Sequence, residues 1–153
     1  MKVDQVTGRI LFEELALAVD QTTARSAFLL TPAGKMASIH VRSEPWCSFS
    51  LPSFHVMQVP FFGTLWFNGE ELWRVSLMDG SAEFGLSWEE WSEENERKRQ
   101  QQHDWWLANV FGAPAREYAW GGIWSGYEQH GGFSSIVISY SRRTVTFPAD
   151  DGA

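Results

Sequence analysis

Only one cysteine, Cys47, stands in the 153-residue chain, so no internal disulfide can form. A chain without disulfides fits a reducing compartment. No run approaches the roughly 20 apolar residues needed to cross a bilayer. The opening Met1-Lys2-Val3-Asp4-Gln5 lacks the apolar stretch of a secretion signal. The expected address is the cytoplasm, with no membrane role. Basic residues are also scarce: twelve Lys and Arg face nineteen Asp and Glu, for a net charge of −7. Neutralising a phosphate backbone needs cations, so no nucleic-acid partner is expected. The acidic balance favours solubility and, for any protein partner, a basic one.

Metal and nucleotide signatures are missing as well. His40, His55, His103 and His130 show no H-x-H, H-E-x-x-H or Cys/His spacing, so no metal site is expected. Gly121-Gly122 and Gly131-Gly132 lack the form of a phosphate loop and the helix that follows one. Turns and bulges account for them, and no cofactor is expected. Cys47 is a common kind of small core residue, and nothing in the sequence sets a base beside it. The pair His103-Asp104 reads as a contact near a helix end. No catalytic residue is assigned.

What the chain has in excess is aromatic bulk, with nine Trp and eleven Phe. Each large ring buries on the order of 150–250 Å², so a few fill a small core and the remainder suggest a groove or an interface. The length suits one domain, which at this size buries roughly two thirds of its unfolded surface.

Local patterns give an α+β fold: a largely antiparallel sheet of hairpins and meanders, packed by one long helix and one short one. The apolar segment from Arg9 to Leu17 reads as a first strand or the lead-in to a helix. Thr22 or Thr23 is positioned to cap a short helix over about 23–29, and Thr31-Pro32-Ala33-Gly34 ends it. From Met36 to Leu77 short β-branched and aromatic runs are separated by Pro45, Pro52 and Pro60. Asn68-Gly69 between two apolar runs predicts a tight hairpin. Trp73, Val75 and Leu77 then share one face with Trp66 roughly opposite, and both tryptophans read as core. Trp120 to Glu128, a turn at Gln129-His130-Gly131-Gly132 and Phe133 to Tyr140 predict a second hairpin, with Ile136, Ile138 and Tyr140 on one face. One domain spans 1–147, and 148–153 reads as a disordered tail.

Ser87 or Ser92 starts the long helix, about 88–111, and Gly112 with Pro114 stops it. Glu93–Arg97 and Glu94–Lys98 are i,i+4 pairs. Trp88 and Trp91 lie at one end; Trp105, Trp106, Leu107, Val110 and Phe111 lie at the other. Between them, Ser92 to Asp104 contains no apolar residue. A helix polar on all sides bridges two contacts, so the expectation is anchored ends and a centre standing in water.

Taken in order, the Thr-Ala-Arg-Ser-Ala-Phe-Leu stretch, Trp73-Arg74-Val75-Ser76-Leu77, the Trp88 to Gly112 helix with His103-Asp104-Trp105, and Trp120-Gly121…Ser125-Gly126-Tyr127 before Ser134-Ser135-Ile136-Val137-Ile138 resemble a group of small uncharacterised bacterial proteins. The resemblance covers about residues 22–140. It implies an immunity-type partner of a secreted toxin and brings no catalytic residue. The resulting expectation is a protein-binding module that takes a basic, toxin-like effector through Glu93, Glu94, Glu96, Trp105, Trp106, Trp120, Trp124 and Tyr127. The alternatives are a small-ligand binder or enzyme with an aromatic-lined pocket between sheet and helix, and a structural subunit of a homo-oligomer. The sequence leaves the oligomeric state open.

Overall fold

A computed structural model describes residues 1–140. Strands β1 (Lys2–Val3), β2 (Ile10–Phe12) and β3 (Leu17–Val19) make a small antiparallel sheet. Helices α1 (Arg25–Leu30) and α2 (Pro32–Met36) follow. Then come β4 (Ser38–Ser43), β5 (Trp46–Ser50), β6 (Phe54–Val56), β7 (Val59–Asn68) and β8 (Glu71–Asp79). Helix α3 (Glu93–Trp106) passes into a π-helical turn, Leu107–Phe111. Strands β9 (Glu117–Tyr118), β10 (Gly121–Glu128) and β11 (Phe133–Ser139) complete the large sheet. Its order is β4-β5-β7-β8-β11-β10-β9 with β6 paired to β7, and every pairing is antiparallel. This is the α+β architecture expected, with the long helix against an antiparallel sheet.

Period-two alternation turns Phe61, Leu65 and Phe67 of β7 to the same face as Val75 and Leu77 of β8 and Ile136 and Ile138 of β11, all fully buried. Phe28 of α1 stacks on Phe67 with ring centres 5.8 Å apart, and Trp106 meets Phe61 edge-on at 5.3 Å. Phe12 of the small sheet meets Phe54 at 5.2 Å. Each such side chain contributes about 1.5–3 kcal/mol through burial. The small sheet is also sewn to the C-terminal strands: Tyr140 Oη donates to the Gly8 carbonyl at 2.7 Å and Trp120 Nε1 to the Gln5 carbonyl at 2.9 Å. Gly8 has φ 73°, and a Cβ there would run into the Trp120 ring.

Several local expectations are corrected. The stretch from Arg9 to Leu17 holds two strands, β2 and the start of β3, separated by a turn with Ala16 at φ 47°. Neither Thr22 nor Thr23 caps α1. Ala24 occupies the N-cap, while the Thr23 hydroxyl accepts from the Asp20 N–H at 2.9 Å. Helix α1 does end before Pro32, with Thr31 extended as its C-cap; the unexpected part is that Thr31 also caps α2, which Pro32 opens because proline at the first turn loses no needed donor. Pro60 lies inside β7, where the short β6 is its partner. The first hairpin turns at Gly69-Glu70, one residue later than Asn68-Gly69, with Gly69 at φ 59°. The register shift between Trp66 and Phe67 leaves Trp73 in a bulge, so Leu72 takes the place expected for Trp73 in the core. Trp66 and Trp73 are half-buried and outside the core. The tail expected over 148–153 lies outside the described residues.

The largest correction concerns α3. Residues 88–90 form a turn and the helix starts at the second candidate cap: Ser92 Oγ accepts from the Asn95 N–H at 3.1 Å. Gly112, at φ 76°, ends it. The centre of the helix does not stand in water on every side. Glu96, Arg99 and His103 are 2, 2 and 0% exposed, in line with Trp106 at 3%. Spacings of three, four and three put these four residues on one face, which lies against the sheet. Glu93, Glu94, Arg97 and Lys98 do face solvent, with Glu93–Arg97 and Glu94–Lys98 paired at 2.8 Å each.

His103 fastens the C-terminal half of α3. Its Nε2 accepts the Asp79 N–H at 2.9 Å, not a contact from Asp104, and Trp106 Nε1 donates to Asp79 Oδ2 at 2.9 Å. Burial pushes the His103 imidazole down to about 3; the Asp79 charge opposes this and the Arg99 charge adds to it. The folded protein therefore holds His103 neutral. Below the ordinary value of 6.5 the unfolded chain binds a proton that the folded one refuses, down to about 3. Stability from this group is complete above that window and falls with pH at about 1.4 kcal/mol per pH unit. Urea midpoints compared at about pH 7.5 and about pH 4.5 check this; His103→Gln, which cannot titrate there, flattens the difference.

Candidate functional site

The strands that build the core with one face build a groove with the other. Thr64 and Trp66 of β7, Ser76 and Met78 of β8, and Ser135 and Val137 of β11 line its floor. Residues 85–91, the connection from β8 to α3, form a second wall with Leu86, Trp88 and Trp91. Phe62 and Phe133 stand at the margin, each 42% exposed. The cavity measures about 710 Å³. That lies inside the range of small-molecule sites, roughly 300–1,000 Å³.

Each wall is held in place. Trp66 Nε1 donates to Ser76 Oγ at 3.2 Å, and the His40 ring meets the indole edge-on with centres 5.7 Å apart. The wall of residues 85–91 is tied at both ends: Arg99 Nη2 donates to the Gly85 carbonyl at 2.7 Å, and Trp91 Nε1 donates to the Gly132 carbonyl in the β10–β11 turn. Inside the loop, Glu90 Oε2 accepts from the Leu86 N–H at 2.9 Å. Trp88 packs beside Trp91 with centres 6.5 Å apart and remains 79% exposed.

Arg99 reaches the loop because it is fixed by Glu96. The two side chains form a buried ion pair, and the other Glu96 oxygen accepts from the Ser134 N–H at 2.7 Å. Ser134 Oγ donates to the Glu96 carbonyl. The guanidinium also lies over the Phe84 ring, 5.5 Å from its centre.

Arg74 is the unbalanced group of the site. Its guanidinium sits 4.3 Å from the centre of the Trp73 ring. Its Nε is buried without a hydrogen-bond partner, and no ion pair involves it among the described residues. Burial pulls its pKa down, and the Glu128 charge opposes that. Ser139, its cross-strand neighbour on β11, likewise has a buried hydroxyl with no partner.

The residues expected to form one partner surface are divided between the surface and the interior. Glu96 is spent on Arg99 and Ser134, and Trp106 is core. Trp120 is 5% exposed, stacked on Tyr118 at 5.1 Å and donating to Gln5. Glu93, Glu94 and Trp105 are exposed on α3. Tyr127 is half-buried beneath the Arg97 guanidinium, 5.2 Å away. Trp124 is half-buried on the groove side of β10, its indole lying over Gly126, where any side chain would collide with it. The sequence reading offers an aromatic pocket between sheet and helix as an alternative; the groove lies against the sheet and is lined by Glu96 and Arg99 of α3 and by the loop that precedes the helix. Trp88 and Trp91 were visible as surplus aromatics. Arg74 and Ser76 were not singled out, though a Trp66 and an Arg74 on the face opposite Leu65 and Val75 are a usable signal.

Elsewhere the titratable groups are dispersed. His55 Nδ1 lies 3.2 Å from Glu14 Oε1 at the surface, and Cys47 is buried with Sγ 3.6 Å from Glu44 Oε1. Among the described residues no group of three His, Cys, Asp or Glu side chains is placed to hold a metal ion. No helix among them is long and apolar enough to cross a membrane. Comparison with protein-family models, curated proteins and solved structures finds no match to this chain.

The ion pair under the loop sets a stability test. Arg99→Met leaves the Glu96 carboxylate buried and uncompensated, which costs about 3–5 kcal/mol. For a domain this size that lowers Tm by roughly 6–20 °C. The double variant Glu96→Gln/Arg99→Met recovers most of the loss, because a neutral amide replaces the stranded charge. Thermal denaturation of the three proteins measures it.

Proposed function

We propose that the protein is a binding protein whose site is the groove between the second face of the large sheet and residues 85–91. The observation that carries this is the combination of indole walls and a half-buried, unpaired Arg74 around one cavity of about 710 Å³. A partly desolvated cation without a close ion-pair partner carries a cost, and an occupant with a negative charge would offset it. Rings on two sides offer a flat apolar slot, while Thr64, Ser76 and Ser135 supply hydroxyls that orient an occupant.

A second reading keeps the immunity-type role. It rests on the resemblance described above and on Glu93, Glu94 and Trp105, which stay at the surface of α3. Pairing with Arg97 and Lys98 leaves that surface with little net charge for a basic partner. The groove is therefore the stronger basis.

Backbone and indole N–H shifts recorded against a library of planar aromatic fragments test the groove. Shifts gathered on Trp66, Trp91, Ser76 and Ser135 are expected; shifts scattered over Met36, Met57 and Trp105 would contradict the reading. Trp88→Ala lowers the affinity of any hit about 5- to 30-fold. Its exposed indole contributes little to folding, so Tm changes by less than about 2 °C.

A further inference from the structure

The occupant of this groove can be narrowed by its charges. Four ionised side chains line it: Arg74, Arg99, Glu96 and Glu128. Arg99 and Glu96 neutralise one another and are held by Gly85 and Ser134, which removes both from recognition. Glu128 lies at the exposed end of β10 and makes no ion pair among the described residues. Arg74 remains, half-buried at the groove wall and without an ion-pair partner among the described residues. A guanidinium presents its donors as a planar fork that fits a carboxylate, and the Trp73 ring packs against this one, its centre 4.3 Å away.

We propose that the groove takes a planar aromatic monocarboxylate, with the carboxylate on Arg74 and the ring system against Trp66 and the indoles of Trp88 and Trp91. The proposal rests on the groove being the binding site. One free guanidinium beside Glu128 fits a single negative charge. A di- or triphosphate would meet the Glu128 carboxylate and a chain of net charge −7. A planar ligand suits walls of flat indoles, which stack on rings with offset faces.

Matched acids and amides separate the charge from the ring. Calorimetric titration of the wild-type protein uses 2-naphthoate against 2-naphthamide and indole-3-acetate against indole-3-acetamide. The acids are expected to bind at least about 10-fold more tightly than their amides. Raising salt weakens the acids and leaves the amides unchanged. Arg74→Met removes the preference, and Arg74→Lys, which keeps charge but not the fork, retains part of it; a Tm for each variant shows that it is folded. Equal binding of acids and amides, with Arg74→Met indifferent, overturns the carboxylate assignment while the groove stands. Failure of every acid and amide to bind the folded wild-type protein overturns the groove and the assignment together.

Discussion

Burying an ion pair and a neutral imidazole on the inner face of an otherwise polar helix is the constraint on which this structure depends. Taking Glu96, Arg99 and His103 out of water is expensive, and attraction between the charges does not by itself offset it. Specific partners offset part of the cost: Glu96 receives Arg99 and the Ser134 N–H, Arg99 also reaches the Gly85 carbonyl, and His103 receives the Asp79 N–H, while Arg99 Nε and His103 Nδ1 are buried without a partner. Such partners exist at one register only. A slide of α3 by one residue would strand every one of them. Apolar packing of Trp106, Leu107 and Phe111 brings the helix to the sheet; the polar contacts decide where along the sheet it stops.

That register matters for the groove. The segment from Gly80 to Trp91 has few core side chains of its own, Phe84 being the buried one. It keeps its place through Arg99 at one end and Trp91 at the other. The same helix face that reads as structural is therefore what holds a wall of indoles opposite Trp66 and Arg74. The two faces of the large sheet divide the work, Leu65, Val75 and Ile136 toward the core and Trp66, Ser76 and Ser135 toward the groove.

Much of the fold was legible. Alternation around the two hairpins and the Gly112 stop marked β7, β8, β10, β11 and the end of α3, because those signals are local. What failed depended on partners distant in sequence. A run without apolar residues reads as solvated unless Ser134, Gly85 and Asp79 are known to face it, although the three-four-three spacing that leads from Glu96 to Trp106 was there to see. Trp73 left the core because a bulge shifted its register by one position, and alternation cannot announce an extra residue. Trp120 was buried by Gln5 and Gly8, more than a hundred positions away. The groove was half legible: surplus tryptophans signalled a site, but not that Arg74 would lie among them.

Amide hydrogen exchange at Asp79 and Ser134, followed on the native protein, addresses the helix register directly, since both N–H groups bond to side chains of α3. If the buried stripe holds helix to sheet, both exchange only with global unfolding, at the free energy measured for Val75 in the central strand. Exchange at the rate of the surface turns, with Val75 still protected, would mean that the helix leaves the sheet freely and that the wall of the groove has no fixed support.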